Sequence, residues 1–229
     1  MDGTFNGCSS FNQPLSNWQL TSTTTLRRTF DRALVFDQDM SMWDTSKVMD
    51  LTATFSDAKK FRGIGLEKWN VSLVSTLFDT FEGAFAFNAP IGTWEVGNVI
   101  SLDGTFKDAK SFNQDISMWD VGRVDRMGRV FEGALKFNHN LCAWGEKLGY
   151  MIPPLVDRAF EKTNCPTVES PLWAEGTESS YYDDSVPGDL PEDPPTNNTD
   201  GTLSPLPLER RNQEGRAGVP GPFCHVCEI

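Results

Sequence analysis

The sequence predicts an α/β repeat solenoid of about six 25-residue coils, and three aromatic series in step with one another predict it. Phe5, Phe30, Phe55, Phe81, Phe106 and Phe131 recur at intervals of 25 or 26 residues. Phe11, Phe36, Phe61, Phe87, Phe112 and Phe137 follow, each six residues later. Trp18, Trp43, Trp69, Trp94, Trp119 and Trp144 keep the same period, and the one 26-residue step is a single insertion within "FRGIGLEKW". A coil of this length cannot bury its own apolar face, so neighbouring coils must bury it between them. The repeat-core residues are therefore Phe30, Phe55, Phe81, Phe106, Phe131 and the six tryptophans.

The clearest copy, "FNQDISMWDVGRVDRMGRVFEGALK" at residues 112–136, supplies the expected elements. Val124, Met127, Phe131 and Ala134 are spaced 3, 4 and 3, the stripe of one helix face. Ile116, Trp119 and Val121 fit a short extended segment, and stacking would align one such strand per coil into a parallel sheet. The slot of Ala134 holds Ala33, Ala58, Ala84 and Ala109, and Cys8 in the first copy. So small a residue implies close approach between coils, and Cys8 is read as a buried small side chain. Asn12, Asn88, Asn113 and Asn138 after the second Phe, and Asp44, Asn70, Glu95 and Asp120 after the Trp, are expected to satisfy backbone amides at coil corners.

Three regions follow. Residues 1–165 form the solenoid, with an incomplete first coil and a cysteine-bearing last one. Residues 166–222 are acidic and rich in Pro and Ser, and no Lys or Arg lies between Lys162 and Arg210. Such a composition cannot offset its own ordering entropy and is expected to be disordered, although translated intron sequence would have the same composition. Residues 223–229 are a Cys-x-x-Cys tail.

A formal charge of −12 argues against nucleic acid or an anionic membrane as partner. No apolar run is long enough to span a bilayer, and no signal segment opens the chain. Met1 aligns with Leu102, an inner position of its coil, so the chain is expected to be N-terminally truncated. Cys142, Cys165, Cys224 and Cys227 all follow the last regular repeat, as in a disulfide-stapled extracellular cap.

Little points to catalysis. The two histidines, His139 and His225, leave small room for a nucleophilic triad, and the carboxylates fall on repeat positions instead of forming an acid–base pair. Cys224 and Cys227 have redox or half-zinc spacing, but disulfides suit a Pro/Gly-rich tail better. Asp37 with Asp39, and Asn113 with Asp115, recur at one corner without the glycine and closing glutamate of a calcium loop. No cofactor or metal is expected. Asn70 and Asn197 open Asn-x-Ser/Thr acceptors for glycosylation.

The quoted coil, F-N-Q-D-I-S-x-W-D-V followed by V-x-x-M and F-x-x-A, resembles the BspA-like leucine-rich-repeat surface proteins over about residues 1–165. That resemblance implies a leucine-rich-repeat-like array without catalytic residues, on a secreted or cell-surface protein, serving adhesion or protein binding. "FNHNLCAWGEKLGY", "AFEKTNCP" and "GPFCHVC" look like the cysteine-bearing closing unit of eukaryotic members, which implies a bridge between Cys142 and Cys165 with Cys224 and Cys227 following. The expected function is binding of a protein or glycan ligand through the solenoid surface, with a spacer or surface coat as alternative and an enzyme as the weakest reading. Lys47, Leu73, Asn98 and Arg123 vary along one line of repeat positions and are the candidate binding face.

Overall fold

A computed structural model describes residues 1–148 and 157–164, all within one compact unit. Cys165, Asn197, Cys224, Cys227 and the expected segments 166–222 and 223–229 lie outside the described residues.

The chain winds into stacked coils made of turns. Within one coil the amide of Thr29 returns to the Leu26 carbonyl, that of Ala33 to Phe30 and that of Phe36 to Ala33, each at 3.0 Å. The amides of Leu26, Arg28, Phe30 and Arg32 donate instead to Asp50, Thr52, Thr54 and Ser56, one coil onward, at 2.8–3.0 Å. The same alternation continues through Leu77, Asp79, Phe81 and Gly83 to Ser101, Asp103, Thr105 and Lys107. Backbone groups that a helix or sheet would pair are thus paired by turns within a coil and by bonds between coils.

The expected α/β solenoid of strand-plus-helix coils is not what forms. Among the described residues the helices are a 3-10 turn at Leu66–Lys68 and a short α-helix at Cys142–Leu148. In place of a sheet, single parallel bridges link Thr25, Asp50, Thr76, Ser101 and Arg126 in succession. These bridges fall in the half of the coil expected to be helical, while the Ile116–Val121 segment forms no strand.

The cause is a pair of left-handed residues in each coil, two before and two after the first Phe. Arg28 (φ 52°) and Arg32 (φ 58°), Asp79 (φ 51°) and Gly83 (φ 64°), and Arg129 (φ 53°) and Gly133 (φ 71°) occupy these places. A left-handed residue costs an L-amino acid roughly 1–2 kcal/mol and ends any right-handed helix. Turns in series each send one side chain inward about every third residue, which reproduces the 3-4-3 spacing of a helix face without a helix.

The aromatic series form the core. The first Phe column, from Phe5 through Phe131 to Phe160, stacks coil on coil at 5.4–5.8 Å between ring centroids. Within a coil the two Phe rings stack at 3.8–4.2 Å. Each tryptophan from Trp43 to Trp144 is buried and donates its indole N–H to a carbonyl of the preceding coil, at Leu15, Met40, Leu66, Ile91 and Ile116, over 2.9–3.1 Å. Burial of the ring and satisfaction of its one donor are achieved together.

Trp18 is an exception to the expected core, being 40% exposed. Cys8 also departs from expectation and is exposed, whereas Ala33, Ala58, Ala84 and Ala109 in the same slot are fully buried. Both residues sit in the first described coil.

One further column repeats with the aromatics. Thr29, Thr54, Thr80 and Thr105, each just before a core Phe, are completely buried. The hydroxyls of Thr54, Thr80 and Thr105 reach carbonyls of the preceding coil at Leu26, Leu51 and Leu77 (2.9–3.1 Å). The extra residue of the long step is absorbed by Gly65 (φ 90°) ahead of the Leu66–Lys68 turn, where a β-carbon would collide with the backbone of Ser41.

Candidate functional site

The left-handed positions do more than end helices: they turn their side chains out on one face of the stack. Arg28, Ala53, Asp79 and Arg129 share the column two residues before the Phe, and Arg32, Asp57, Gly83 and Asp108 share the column two after it. Between them, one residue after the Phe, lie Asp31, Ser56, Glu82, Lys107 and Glu132 in successive coils.

Where this face carries small residues it opens into a groove of about 550 Å³. The small side chains Ala53, Ser56 and Gly83 line it, and all three are buried. Arg28, Asp31 and Arg32 line it from one coil, Asp79, Glu82 and Phe85 from another, and Asp57, Asp108 and Lys110 complete it. Phe85 lies between two lysines from the adjoining coils, with Lys110 Nζ 4.0 Å and Lys59 Nζ 5.4 Å from its ring centroid. Both cations sit within the range of attraction to an aromatic face.

Two carboxylates of the groove, Asp31 and Asp79, hold their protons more tightly than usual. Asp79 is pushed up to about 7 by burial and then by the charge of Glu82, against the pull of Arg129 and Lys107. Asp31 is raised by burial, with Asp57 and Glu82 adding to it and Arg32 and Arg28 opposing. Asp103, beside the groove, is raised by burial although the Gly128 amide bonds it. Desolvation and like charges both penalise the ionised form.

Hydrogen bonding separates this face from the others. Glu82 pairs with Lys107 at 2.9 Å, and Asp31 approaches Arg32 at 3.9 Å. The side chains of Arg28, Asp57, Asp79, Asp108 and Lys110 make no hydrogen bond among the described residues. Asp57, Asp79 and Asp108 instead pack one oxygen over a left-handed glycine of the next coil, Gly83, Gly104 and Gly133 respectively.

At the corners several polar side chains are engaged. Asn12 Oδ1 accepts the Asp37 amide, Asp37 the Arg62 amide, Asn88 the Asn113 amide and Asn113 the Asn138 amide, at 2.8–3.0 Å. His139 Nε2 lies 3.2 Å from the Asn113 carbonyl, at the corner place where Gln38 bonds Asn12. The corner pairs considered for calcium are used in this way too, with Asp39 accepting the Ser41 amide and Asp115 the Ser117 amide. Among the described residues no group of three or more His, Cys, Asp or Glu is arranged to hold a metal ion.

The line Lys47, Leu73, Asn98 and Arg123 forms one exposed column. Its polar members reach back across coils: Lys47 Nζ donates to the Thr21 carbonyl, Asn98 Nδ2 to that of Ser72, and Arg123 Nη1 to Asn98 Oδ1, each at 2.7 Å. Leu73 is 51% exposed. Asn70 is exposed, and its Oδ1 accepts both the amide (3.0 Å) and the hydroxyl (2.7 Å) of Ser72. Cys142 opens the short α-helix half-buried, its amide donating to Asn140 Oδ1. No helix among the described residues is long and apolar enough to cross a membrane.

The groove was not foreseen from the sequence, because its columns change residue type from coil to coil. The available signal was that variation itself, Arg, Ala and Asp at one repeat position and Arg, Asp and Gly at another, beside invariant Phe.

No curated protein and no solved structure matches the chain. Residues 1–64 and 62–151 match the model of a family described as Mycoplasma protein of unknown function, DUF285. With its repeats covered from the first coil to the closing helix, the chain belongs to that family.

Proposed function

We propose that the chain is a non-enzymatic binding module that recognises a protein or glycan through the groove lined by Arg28, Asp57, Asp79 and Asp108. The observation that carries this reading is the contrast in hydrogen bonding. Polar side chains at the corners tie one coil to the next, while Arg28, Asp57, Asp79, Asp108 and Lys110 of the groove make no hydrogen bond among the described residues. Groups desolvated without partners cost stability, and a ligand that satisfies them recovers it. The likeness to BspA-like surface proteins supports a binding role outside the cell or on its surface. A spacer or coat element is the competing reading.

Substitutions that the repeat already tolerates test the proposal. Ala53→Arg places in the groove the residue found in the same column at Arg28 and Arg129, and Leu73→Asn places in the exposed column the residue found at Asn98. With full chains immobilised, Ala53→Arg is expected to abolish capture of cell-surface proteins and glycans while Leu73→Asn leaves it intact. Equal capture by both variants and the parent would overturn the assignment of the groove. Loss only in Leu73→Asn would transfer the role to the Lys47–Arg123 column.

A further inference from the structure

Resting on the groove as recognition surface, we infer that its ligand is a neutral, polyhydroxylated one, an uncharged oligosaccharide segment. The argument starts from the arrangement of charge. The lining interleaves the cations Arg28, Arg32 and Lys110 with the carboxyl groups of Asp31, Asp57, Asp79, Glu82 and Asp108, and Asp31 sits on the same coil as the two arginines. A polyanion laid along the groove meets these carboxyl groups. A polycation meets the two arginines and the lysine. Mixed signs at close spacing repel either kind of linear charged polymer at one place or another, which is how a site discriminates by exclusion.

Neutral hydroxyls meet no such obstacle. Each is both donor and acceptor, so neighbouring hydroxyls of a sugar ring bond equally to carboxylate oxygens and to guanidinium N–H groups. Groups of both kinds are present with no hydrogen bond to described residues, on Arg28, Asp57, Asp79 and Asp108. Ser56 adds a hydroxyl, and Phe85 supplies the one aromatic ring of the lining, an apolar surface for the C–H face of a sugar. Lys110 and Lys59, both exposed on long stems, lie over that ring at 4.0 and 5.4 Å. A volume of about 550 Å³ lies within the range of small-ligand sites.

The test uses the full chain against an array of neutral oligosaccharides, gluco-, manno-, galacto- and N-acetylglucosamine oligomers, with heparin and polylysine as charged arms. At least one neutral oligomer is expected to bind, with an affinity that changes little between low and high salt, since no counterions are released. Ala53→Arg and Asp57→Arg, the second matching Arg32 in its column, are expected to weaken it at least about tenfold by removing space or an acceptor. Leu73→Asn leaves it unchanged, and unaltered melting of the Arg variants shows that they fold.

Two results overturn the inference: no neutral oligomer binds, or binding is confined to a charged polymer and collapses with salt. If in that case Ala53→Arg still abolishes capture of cell-surface protein partners, the groove is a recognition surface for another ligand class. If Ala53→Arg changes nothing in either assay, the groove is not the recognition surface, and both readings fail.

Discussion

The corners and the groove treat the same residue type in opposite ways. At the corners Asp39, Asp44 and Asp115 are exposed, and bonds from Ser41, Ser46 and Ser117 hold their carboxyls below the usual range. In the groove Asp31 and Asp79 are raised by burial, and Asp79 has no hydrogen-bond donor among the described residues. The first set stabilises the stack in its ionised form. The second set is carried at a cost to the ionised form. A repeat that varies only at selected columns has therefore kept its joints bonded and left one face chemically open.

The core beneath both regions sets the largest expected effect. Trp94→Ala removes a ring that is 4% exposed, stacked on Trp119 at 6.4 Å, and bonded through its indole N–H to the Leu66 carbonyl. Large-to-small truncation of a packed aromatic costs about 3–5 kcal/mol. Thermal melting followed by circular dichroism checks this, and an unchanged midpoint would mean that the tryptophan column does not hold the coils together. Trp18→Ala, in the half-exposed first copy, is expected to cost well under half as much.

The next effect sharpens the groove side of the contrast. Gly83 has φ 64°, and a β-carbon there would lie 2.6 Å from Asp57 Oδ1. Gly83→Ala therefore combines left-handed strain with a clash and is expected to cost about 2 kcal/mol. Pairing it with Asp57→Gly removes the clash but not the strain, so roughly half the loss should return. A double variant no more stable than Gly83→Ala alone would show that the aspartate does not press on the glycine.

These positions also show what was legible in the sequence. The period, the core aromatics and the corner Asn and Asp ladder follow from residue size and polarity, which pattern reading detects directly. Local conformation did not follow, because a 3-4-3 apolar spacing arises equally from a helix and from turns in series. The residues that decide between them, Arg28, Arg32 and Ala53, carry no mark of positive φ in their side chains. Gly7, Gly83, Gly104 and Gly133 at the same two columns were the readable hint. The groove was illegible for a related reason: its walls exist only once those two columns are known to face outward together.

A smaller effect depends on pH and tests whether Asp79 is strained. Its folded pKa of about 7 lies above the unfolded value near 3.8, so between these limits the native chain binds a proton that the unfolded chain has released. Stability from this group is then fully present below about pH 4 and declines as pH rises towards 7. Asp79→Asn removes the titration. Its stability should match the parent's at pH 4 and exceed it at pH 8 by roughly 1–2 kcal/mol, less than the about 4 kcal/mol to which the full rise from 3.8 converts, because solvent reaches the half-buried carboxyl and screens it. A constant difference across that range would place the carboxyl in contact with water and take away the contrast with the corners.

The smallest effect belongs to the corners. Arg62 Nε lies 2.7 Å from Asp37 Oδ2 in an exposed pair, and the Arg62 backbone amide bonds Asp37 Oδ1 at 3.0 Å. Arg62→Ala deletes the ion pair alone, for which exposed pairs give at most about 1 kcal/mol. Asp37→Ala also leaves the amide without its acceptor and is expected to cost about 1 kcal/mol more. The difference between the two melting curves isolates the coil-to-coil amide bond, because the ion pair is lost in both. If the curves coincide, water replaces the carboxylate at that amide, and the corner bonds record the stacking of coils without contributing to it.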